Sequence, residues 1–268
     1  MTSDARDFSS ISPSAKSLLI VKSQTSIPFA REAARLAFGA ERVEAELTEM
    51  RREPITGLRL QHFESRYRSL DTLLAETGLP RVLELAAGLS FRGLDLAGRE
   101  SVHYLDTDLP AISALKADLV AKLHPAALVG KLEVLALDAL DPDSFRSTAA
   151  RLAPGPLAIV NEGLLVYLND GEKSRLAANI RDTLANMGGV WLTADVYVRS
   201  PVDVRPPLSP RAQAFLDQHR VEENKFASWE AALGFFQTEG FVVRRRLAPS
   251  DDPRHIRESW VLALPEAD

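Results

Sequence analysis

The run from Val82 to Gly93, VLELAAGLSFRG, carries an acid, Glu84, within a short apolar stretch, then a turn of small residues, then a cation, Arg92. Small residues let backbone pass close to a ligand, and N–H groups left open where a helix begins attract anionic or polar groups. VLEL suits a buried parallel strand, while Ala86, Ala87, Gly88 and Ser90 supply the turn. This is the local chemistry of a nucleotide-type cofactor site. It is also compatible with an ordinary strand-to-helix connection, because Ala86 stands where a strict G-x-G-x-x-G needs glycine.

Other residues with chemical potential fall where later strands should end. In HYLDTDLP, Asp106 and Asp108 stand 18 and 20 residues beyond Gly88, the spacing at which a carboxylate meets the hydroxyls of a ribose. One of the two is expected to face the ligand and the other to cap the helix that begins at Leu109–Pro110. Asp138 and Ala139 are placed to meet the edge and face of a base, although Asp141–Pro142 beside them is a common helix start. Glu162 follows the apolar run of IVNEGLLVYLN, and an unpaired carboxylate buried there would cost several kcal/mol, so a basic residue, a cationic ligand or protonation must offset it. Arg92 and a ligand's own cation are the candidates. Arg92 itself reads either as a bidentate fork for a ligand carboxylate or as an exposed helix arginine. Tyr167 either lines the same cavity or belongs to the core. Asp195, Tyr197 and Arg199 are expected on the acceptor side.

The elements that must position these residues divide the 268-residue chain near residue 80. Before it, apolar residues at three-to-four spacing predict helices over 12–23, 28–39, 40–52 and 57–77, a helical cap spanning 1–80. From 81 to 268, short β-rich runs alternate with amphipathic ones, the pattern of βαβ units. Strands are predicted at 81–86, 101–106, 132–138, 157–161, 189–196, 241–247 and 259–264, with the clearest helices at 110–123, 141–152, 170–186 and 228–238. Asn169 and Ser228 are expected N-caps, and Gly188 and Gly240 expected stops. A proline-rich connection at about 198–227 with one amphipathic helix reads as a lid-like insertion. The last two strands lie too close for an intervening helix and are expected to pair antiparallel.

Composition narrows the function classes. A hydrophobic fraction of 46% supports a sizeable core, and the net charge of −5 argues against a nucleic-acid footprint. There is no cysteine, hence no disulfide, thiolate nucleophile or cysteine-bound metal. His62, His103, His124, His219 and His255 lack the usual ligand spacings, so no metal is expected. The opening MTSDARDFSSISPSAK has no signal-peptide character and no run reaches membrane-spanning length, which predicts a cytoplasmic protein with neither membrane nor nucleic-acid partner.

The runs LELAAGLSFRG, YLDTDLP, LDALD and NEGLLVYL, in that order over 83–168, resemble the S-adenosylmethionine-dependent methyltransferases of the leucine carboxyl methyltransferase family. The likeness is strongest to the bacterial branch that contains polyketide O-methyltransferases. It implies a class I methyltransferase fold: a Rossmann-like α/β seven-stranded sheet, mostly parallel, with an antiparallel C-terminal hairpin and an N-terminal helical cap. It further implies that Glu84, Ala86 and Gly88 shape a turn for S-adenosyl-L-methionine and that Arg92 pairs with the methionine carboxylate. Asp106 and Asp108 would meet the ribose, Asp138 and Ala139 the adenine, and Glu162 the methionine amine or sulfonium. Ala86 and Ser90 depart from the family's frequent glycine and aspartate. Lys22 lies in the region of a cofactor-binding lysine of eukaryotic members, in a dissimilar surrounding sequence.

The expected activity is methyl transfer to a small-molecule hydroxyl or carboxylate. A carboxylate acceptor needs no base, whereas a hydroxyl benefits from one, for which Tyr197, His219 and His255 are the candidates. The rival readings are a nicotinamide-dependent oxidoreductase, against which the incomplete glycine fingerprint counts, and a non-catalytic protein that only binds S-adenosylmethionine.

Overall fold

The computed structural model describes residues 12–51, 56–124, 127–199, 210–249 and 255–266. Four helices come first, α1 (Ser12–Lys22), α2 (Ala30–Phe38), α3 (Ala40–Arg51) and α4 (Thr56–Thr77). The alternating region follows with β1 (Arg81–Leu85), α5 (Arg92–Arg99), β2 (His103–Asp108), α6 (Pro110–Leu123), β3 (Lys131–Ala136), α7 (Pro142–Ala149) and β4 (Leu157–Asn161). A 3-10 turn (Leu165–Tyr167) leads to α8 (Asp170–Met187), β5 (Gly189–Tyr197), α9 (Pro210–Gln218), α10 (Val221–Asn224), α11 (Trp229–Thr238), β6 (Val242–Leu247) and β7 (Arg257–Ala263). Of the expected connection at 198–227, residues 200–209 lie outside the described residues, as do residues 1–11 and Pro54, and the remainder carries two helices, α9 and α10, where one was expected.

The seven strands form one sheet in the order β3-β2-β1-β4-β5-β7-β6. β1 to β5 pair in parallel, whereas β7 inserts antiparallel between β5 and β6. Strand order therefore reverses between β1 and β4, and the carboxyl ends of those two strands flank the crevice where open α/β sheets take ligands. Local signals fix the connections. Asn169 accepts from the Glu172 amide while the Glu172 side chain returns to the Asn169 amide, a capping box that starts α8. Ser228 caps α11, and Gly188 takes a positive φ at the end of α8.

Two boundaries matter for the site. β2 runs two residues beyond its expected end, because its ladder with β3 continues to the pair Asp108↔Ala136. Asp106 thus lies within the strand and Asp108 ends it. β3 in turn stops at Ala136, which leaves Asp138 in the following loop. α7 also closes earlier than expected, at Ala149.

Each sheet face buries a different layer. Leu70, Leu73 and Leu74 of α4 cover Val82, Tyr104, Ala158, Val160, Leu192 and Ala194. On the other face Leu176, Ile180, Leu184 and Phe236 pack with Leu83, Leu85, Ile159, Trp191 and Trp260. At about 1.5–3 kcal/mol for each fully buried large apolar side chain, these layers dominate the fold's stability. A third cluster joins Leu19, Ile20, Ala33, Ala34, Val43 and Leu47 of the first three helices to Leu89, Phe91 and Leu94 after β1. The helical cap is therefore seated directly on the turn that the sequence singles out.

Candidate functional site

The turn after β1 is held from three sides. The Ala87 amide donates to the Thr107 carbonyl at 2.9 Å, tying it to β2, and the Ser90 amide donates to the Ala87 carbonyl at 3.0 Å. The Gly88 amide donates to Asp108 Oδ2 at 2.7 Å, while Asp108 Oδ1 accepts from the Leu109 amide at 2.7 Å. Ala86 and Gly88 have φ of +48° and +56°. Glycine adopts that left-handed conformation freely and alanine does so at a cost of roughly 1–2 kcal/mol. The missing glycine has therefore not changed the shape of the turn; it has made the turn strained. A Cβ at Gly88 would sit 3.6 Å from the Ala15 Cβ, so α1 leaves room above the turn for little more than a methyl group at that point.

Beside the turn, on the α4 face of the sheet, lies a dense buried charge cluster. Arg92 is 1% exposed and its guanidinium donates through Nε to Asp71 at 2.7 Å, through Nη1 to Glu84, and through Nη2 to Glu162 at 2.9 Å. Its plane lies over the Tyr67 ring, 4.3 Å from the centroid, and Tyr104 donates to the other oxygen of Glu84 at 2.7 Å. Glu162 also receives Lys22 at 2.8 Å and Arg66 at 3.2 Å on Oε1. Burial works against its charge, but Lys22, Arg66 and Arg92 together outweigh it and hold its carboxyl well below the usual carboxylate range. Lys22 is pushed down by burial, against the opposing pull of Glu162.

These contacts revise two expectations. Arg92 is the partner of Glu162, as charge balance requires, but it is neither exposed nor available as a bidentate fork, since three carboxylates already take its donors. Asp106 and Asp108 also divide their tasks differently. Asp106 points into the fold, where Lys116 Nζ lies 2.5 Å from its carboxylate. Burial raises its pKa to about 7, with Lys116 opposing. Asp108 latches the turn instead, and its carboxylate retains further lone pairs for a ligand. Asp138 is exposed and its Oδ1 accepts from the Leu140 amide at 2.9 Å, while the Ala139 carbonyl accepts from Asn179.

The acceptor-side candidates separate. Asp195 accepts from Asn161 and from the amides of Gly163, Leu164 and Leu165, so it builds the turn after β4 while lying within electrostatic reach of Arg66 and Tyr197. Arg199 donates to the Glu223 carbonyl. His219 packs on Phe215 and Tyr167, and His255 lies 3.0 Å from Glu258 and against Trp229. Tyr197 does reach the cluster: its hydroxyl lies 3.0 Å from His62 Nε2 and 3.5 Å from Arg66 Nη1. The His62 ring keeps an edge in solvent, yet the packed protein around it and the Arg66 and Arg257 charges push its pKa down to about 3. Solvent at that edge weakens the effect, but burial and the two guanidinium groups all act in the same direction and leave a neutral imidazole near pH 7.

Motif and spacing alone do not single out His62, Arg66, Asp71 or Arg257 as residues of this site. The signal was present in α4, where His62, Arg66 and Ser69 interrupt at helical spacing the face that carries Leu70 and Leu73. It was present in β7 too, where Arg257 and Ser259 alternate with Val261 on one side of a fully buried strand. A cleft of about 590 Å³ lies elsewhere, beside the start of α8 and α10, and is lined by Asn169, Asp170, Arg199, Arg220 and Glu223 among others. It includes no residue of the turn or of the Glu162 cluster.

A family model described as leucine carboxyl methyltransferase matches residues 12–181. The curated protein named "Putative S-adenosyl-L-methionine-dependent methyltransferase" from Streptomyces coelicolor is 29% identical over 131 residues, covering 48% of this chain and 46% of that protein. The aligned region thus spans about half the length of that relative. Among solved structures, magnesium protoporphyrin IX methyltransferase from Synechocystis PCC 6803 with bound S-adenosylmethionine superposes with a TM-score of 0.50 at 10% identity, over 98% of this chain and 100% of that one. Mitomycin 7-O-methyltransferase gives a TM-score of 0.50 at 13% identity, over 95% of this chain and 67% of that one. At such identities these two structures speak to the fold alone, and the fold is the one the sequence predicts.

Proposed function

The chain belongs to the leucine carboxyl methyltransferase family, and from that premise we propose that it is an S-adenosyl-L-methionine-dependent methyltransferase acting on an oxygen of a small molecule. The single observation that carries the reading is the latch between the Gly88 amide and Asp108, set at the strand-order reversal and beside the Glu162 cluster. The donor set fits a nucleoside joined to an amino acid. Asp108 spends one lone pair per oxygen on backbone amides and keeps others for a diol, which makes it a better ribose acid than the enclosed Asp106. The positive-φ turn at Ala86–Gly88 supplies the close approach of backbone.

Glu162 with Lys22 and Arg66 is a ready receptor for an α-amino carboxylate, since the glutamate suits the ammonium and the two cations suit the carboxylate. Arg92 and Glu84 hold Glu162 in place from behind rather than meeting the ligand. Asp138 and Ala139 remain assigned to the base. S-adenosylmethionine supplies an activated sulfonium methyl, so the chain's own work is alignment and exclusion of water. The helical cap performs that exclusion by packing Ala15 over Gly88 and Lys22 onto Glu162. Among the acceptor-side groups, Tyr197 is preferred because its hydroxyl meets His62 and Arg66, ahead of His219 and His255.

Transfer of labelled methyl from S-adenosylmethionine into a fractionated extract of the source cell tests this reading. Label in small organic-soluble material supports it, and label confined to a protein band overturns the small-molecule assignment.

A further inference from the structure

The buried charges on the α4 face of the sheet are matched. Lys22, Arg66, Arg92 and Arg257 stand against Asp71, Glu84, Glu162 and Asp195, the last of which acts on both Arg66 and Arg257. Asp108 gives its oxygens to the Gly88 and Leu109 amides and supplies the negative charge that a sulfonium calls for. An anionic acceptor would therefore enter this set without a cation of its own, and burying an unpaired charge is costly. Around the Tyr197 ring the packing is apolar, with Val166, Val221, Tyr167 and Leu216. The charge balance and the lining both suit an acceptor that carries no charge.

A neutral hydroxyl must lose its proton as its oxygen takes a methyl group, and a route for that proton is built into the site. The Tyr197 hydroxyl lies 3.0 Å from His62 Nε2 and 3.5 Å from Arg66 Nη1. A guanidinium can only donate, so Arg66 donates to the Tyr197 oxygen and the hydroxyl proton turns to His62 Nε2. The imidazole then carries its own hydrogen on Nδ1. Tyr197 is buried and the His62 ring keeps an edge in solvent, so the pair runs from the interior to water. The packed protein around His62, Arg66 from α4, Arg257 from β7 and Lys225 after α10 oppose a positive charge on the ring and outweigh Glu162, which leaves the imidazole neutral and able to accept.

We propose that the methyl acceptor is an uncharged hydroxyl and that Tyr197 and His62 relay its proton to solvent. Tyr197 is the catalytic residue, hydrogen-bonded to the acceptor, and His62 acts through it as a positioning residue and proton store. This rests on the reading of Glu162 and the Gly88 turn as the cofactor side. The acceptor oxygen bonds to the methyl carbon while the carbon–sulfur bond breaks with its electron pair left on sulfur. The acceptor's proton passes to the Tyr197 oxygen as the Tyr197 proton passes to His62 Nε2. One positive charge disappears from sulfur as one appears on the imidazole, so the site's total charge is unchanged, and the imidazolium returns a proton to water at its exposed edge. Tyr197 never becomes a tyrosinate, which its burial opposes.

The test uses S-adenosylmethionine labelled in its methyl group and a fractionated extract of the source cell, less the label that the extract takes up alone. Mild alkali frees methanol from a methyl ester and leaves a methyl ether intact. Label that stays with the small organic-soluble product after alkali is the expected result, and label released as volatile methanol overturns the proposal. The same transfer is then measured with Tyr197→Phe, His62→Gln and His62→Ala. Glutamine can accept the Tyr197 hydrogen bond but cannot carry its proton, so His62→Gln should keep the wild-type melting temperature and S-adenosylhomocysteine affinity yet lose about a hundredfold in rate. Added imidazole should restore part of the rate to His62→Ala and none to Tyr197→Phe. A full rate in His62→Gln, or no recovery of His62→Ala in imidazole, overturns the relay. Absence of any transfer beside intact S-adenosylhomocysteine binding overturns the proposal and leaves the cofactor reading standing, whereas failure of the wild type to bind S-adenosylhomocysteine counts against the cofactor reading itself.

Discussion

Arg92 spends its donors on Asp71, Glu84 and Glu162, so truncating it leaves the fully buried Glu84 without its cation and Glu162 with Lys22 and Arg66 alone. Removing one partner of such a network costs about 3–5 kcal/mol, and Arg92→Ala should therefore lose most of its stability in urea unfolding rather than simply bind cofactor more weakly. Glu162 provides the complementary pH test. Its carboxyl is held below the ordinary glutamate value of 4.5, so its contribution is fully present above that value and is lost as pH falls below it. The melting temperature of the wild type should drop steeply below about pH 4.5. Glu162→Gln should be less stable at neutral pH and show a shallower acid slope; parallel acid slopes in the two proteins would contradict the assignment. Ala86 is the opposite case, a residue held in a conformation that suits glycine. Relief of roughly 1–2 kcal/mol of strain against about 0.5–1 kcal/mol of extra unfolded-chain entropy predicts that Ala86→Gly gains about 0.5–1 kcal/mol, read as a higher urea midpoint at an unchanged slope.

At the scale of elements, the helical cap and the turn behave as one unit, since Leu19 and Ile20 of α1 share a cluster with Leu89 and Phe91. Any ligand on the Gly88 turn must enter beneath α1. Saturation with S-adenosylhomocysteine should accordingly slow amide exchange over 86–92 and along α1 together, while α7 and α11, on the other face, stay unchanged. The elements were the most legible part of the chain. Leu157–Val160 of β4 is an unbroken apolar run because the strand is buried on both faces, α8 carries its capping box openly, and Pro110 marks the start of α6. The end of β2 was misplaced by two residues because ladder length is set by the partner strand β3, whose register the sequence of β2 does not contain. That shift decides whether Asp106 or Asp108 ends the strand, and so which acid meets the turn.

Across the whole molecule, the site draws on residues far apart in the chain. Lys22 meets Glu162 across 140 positions, Arg66 meets Glu162 across 96, and Ser69 meets Ser259 across 190. The half of the site nearest the Gly88 turn was readable because strand ends and small-residue turns leave local signals. The half supplied by α4 and β7 was not, because a polar residue on an otherwise apolar face looks the same whether it caps, packs or binds. The sheet order explains why these segments converge: β4 and β5 lie between β1 and β7, and α4 crosses their common face. The central claim, that the Gly88–Asp108 latch is the floor of an S-adenosylmethionine site, is tested most directly by calorimetric titration of S-adenosylhomocysteine into the wild type and into Asp108→Ala, with NADH as the comparison ligand. The account predicts saturable one-site binding of S-adenosylhomocysteine to the wild type, none of NADH, and affinity at least tenfold weaker in a folded Asp108→Ala. Absence of S-adenosylhomocysteine binding to the wild type, or equal affinity in the variant, would contradict it.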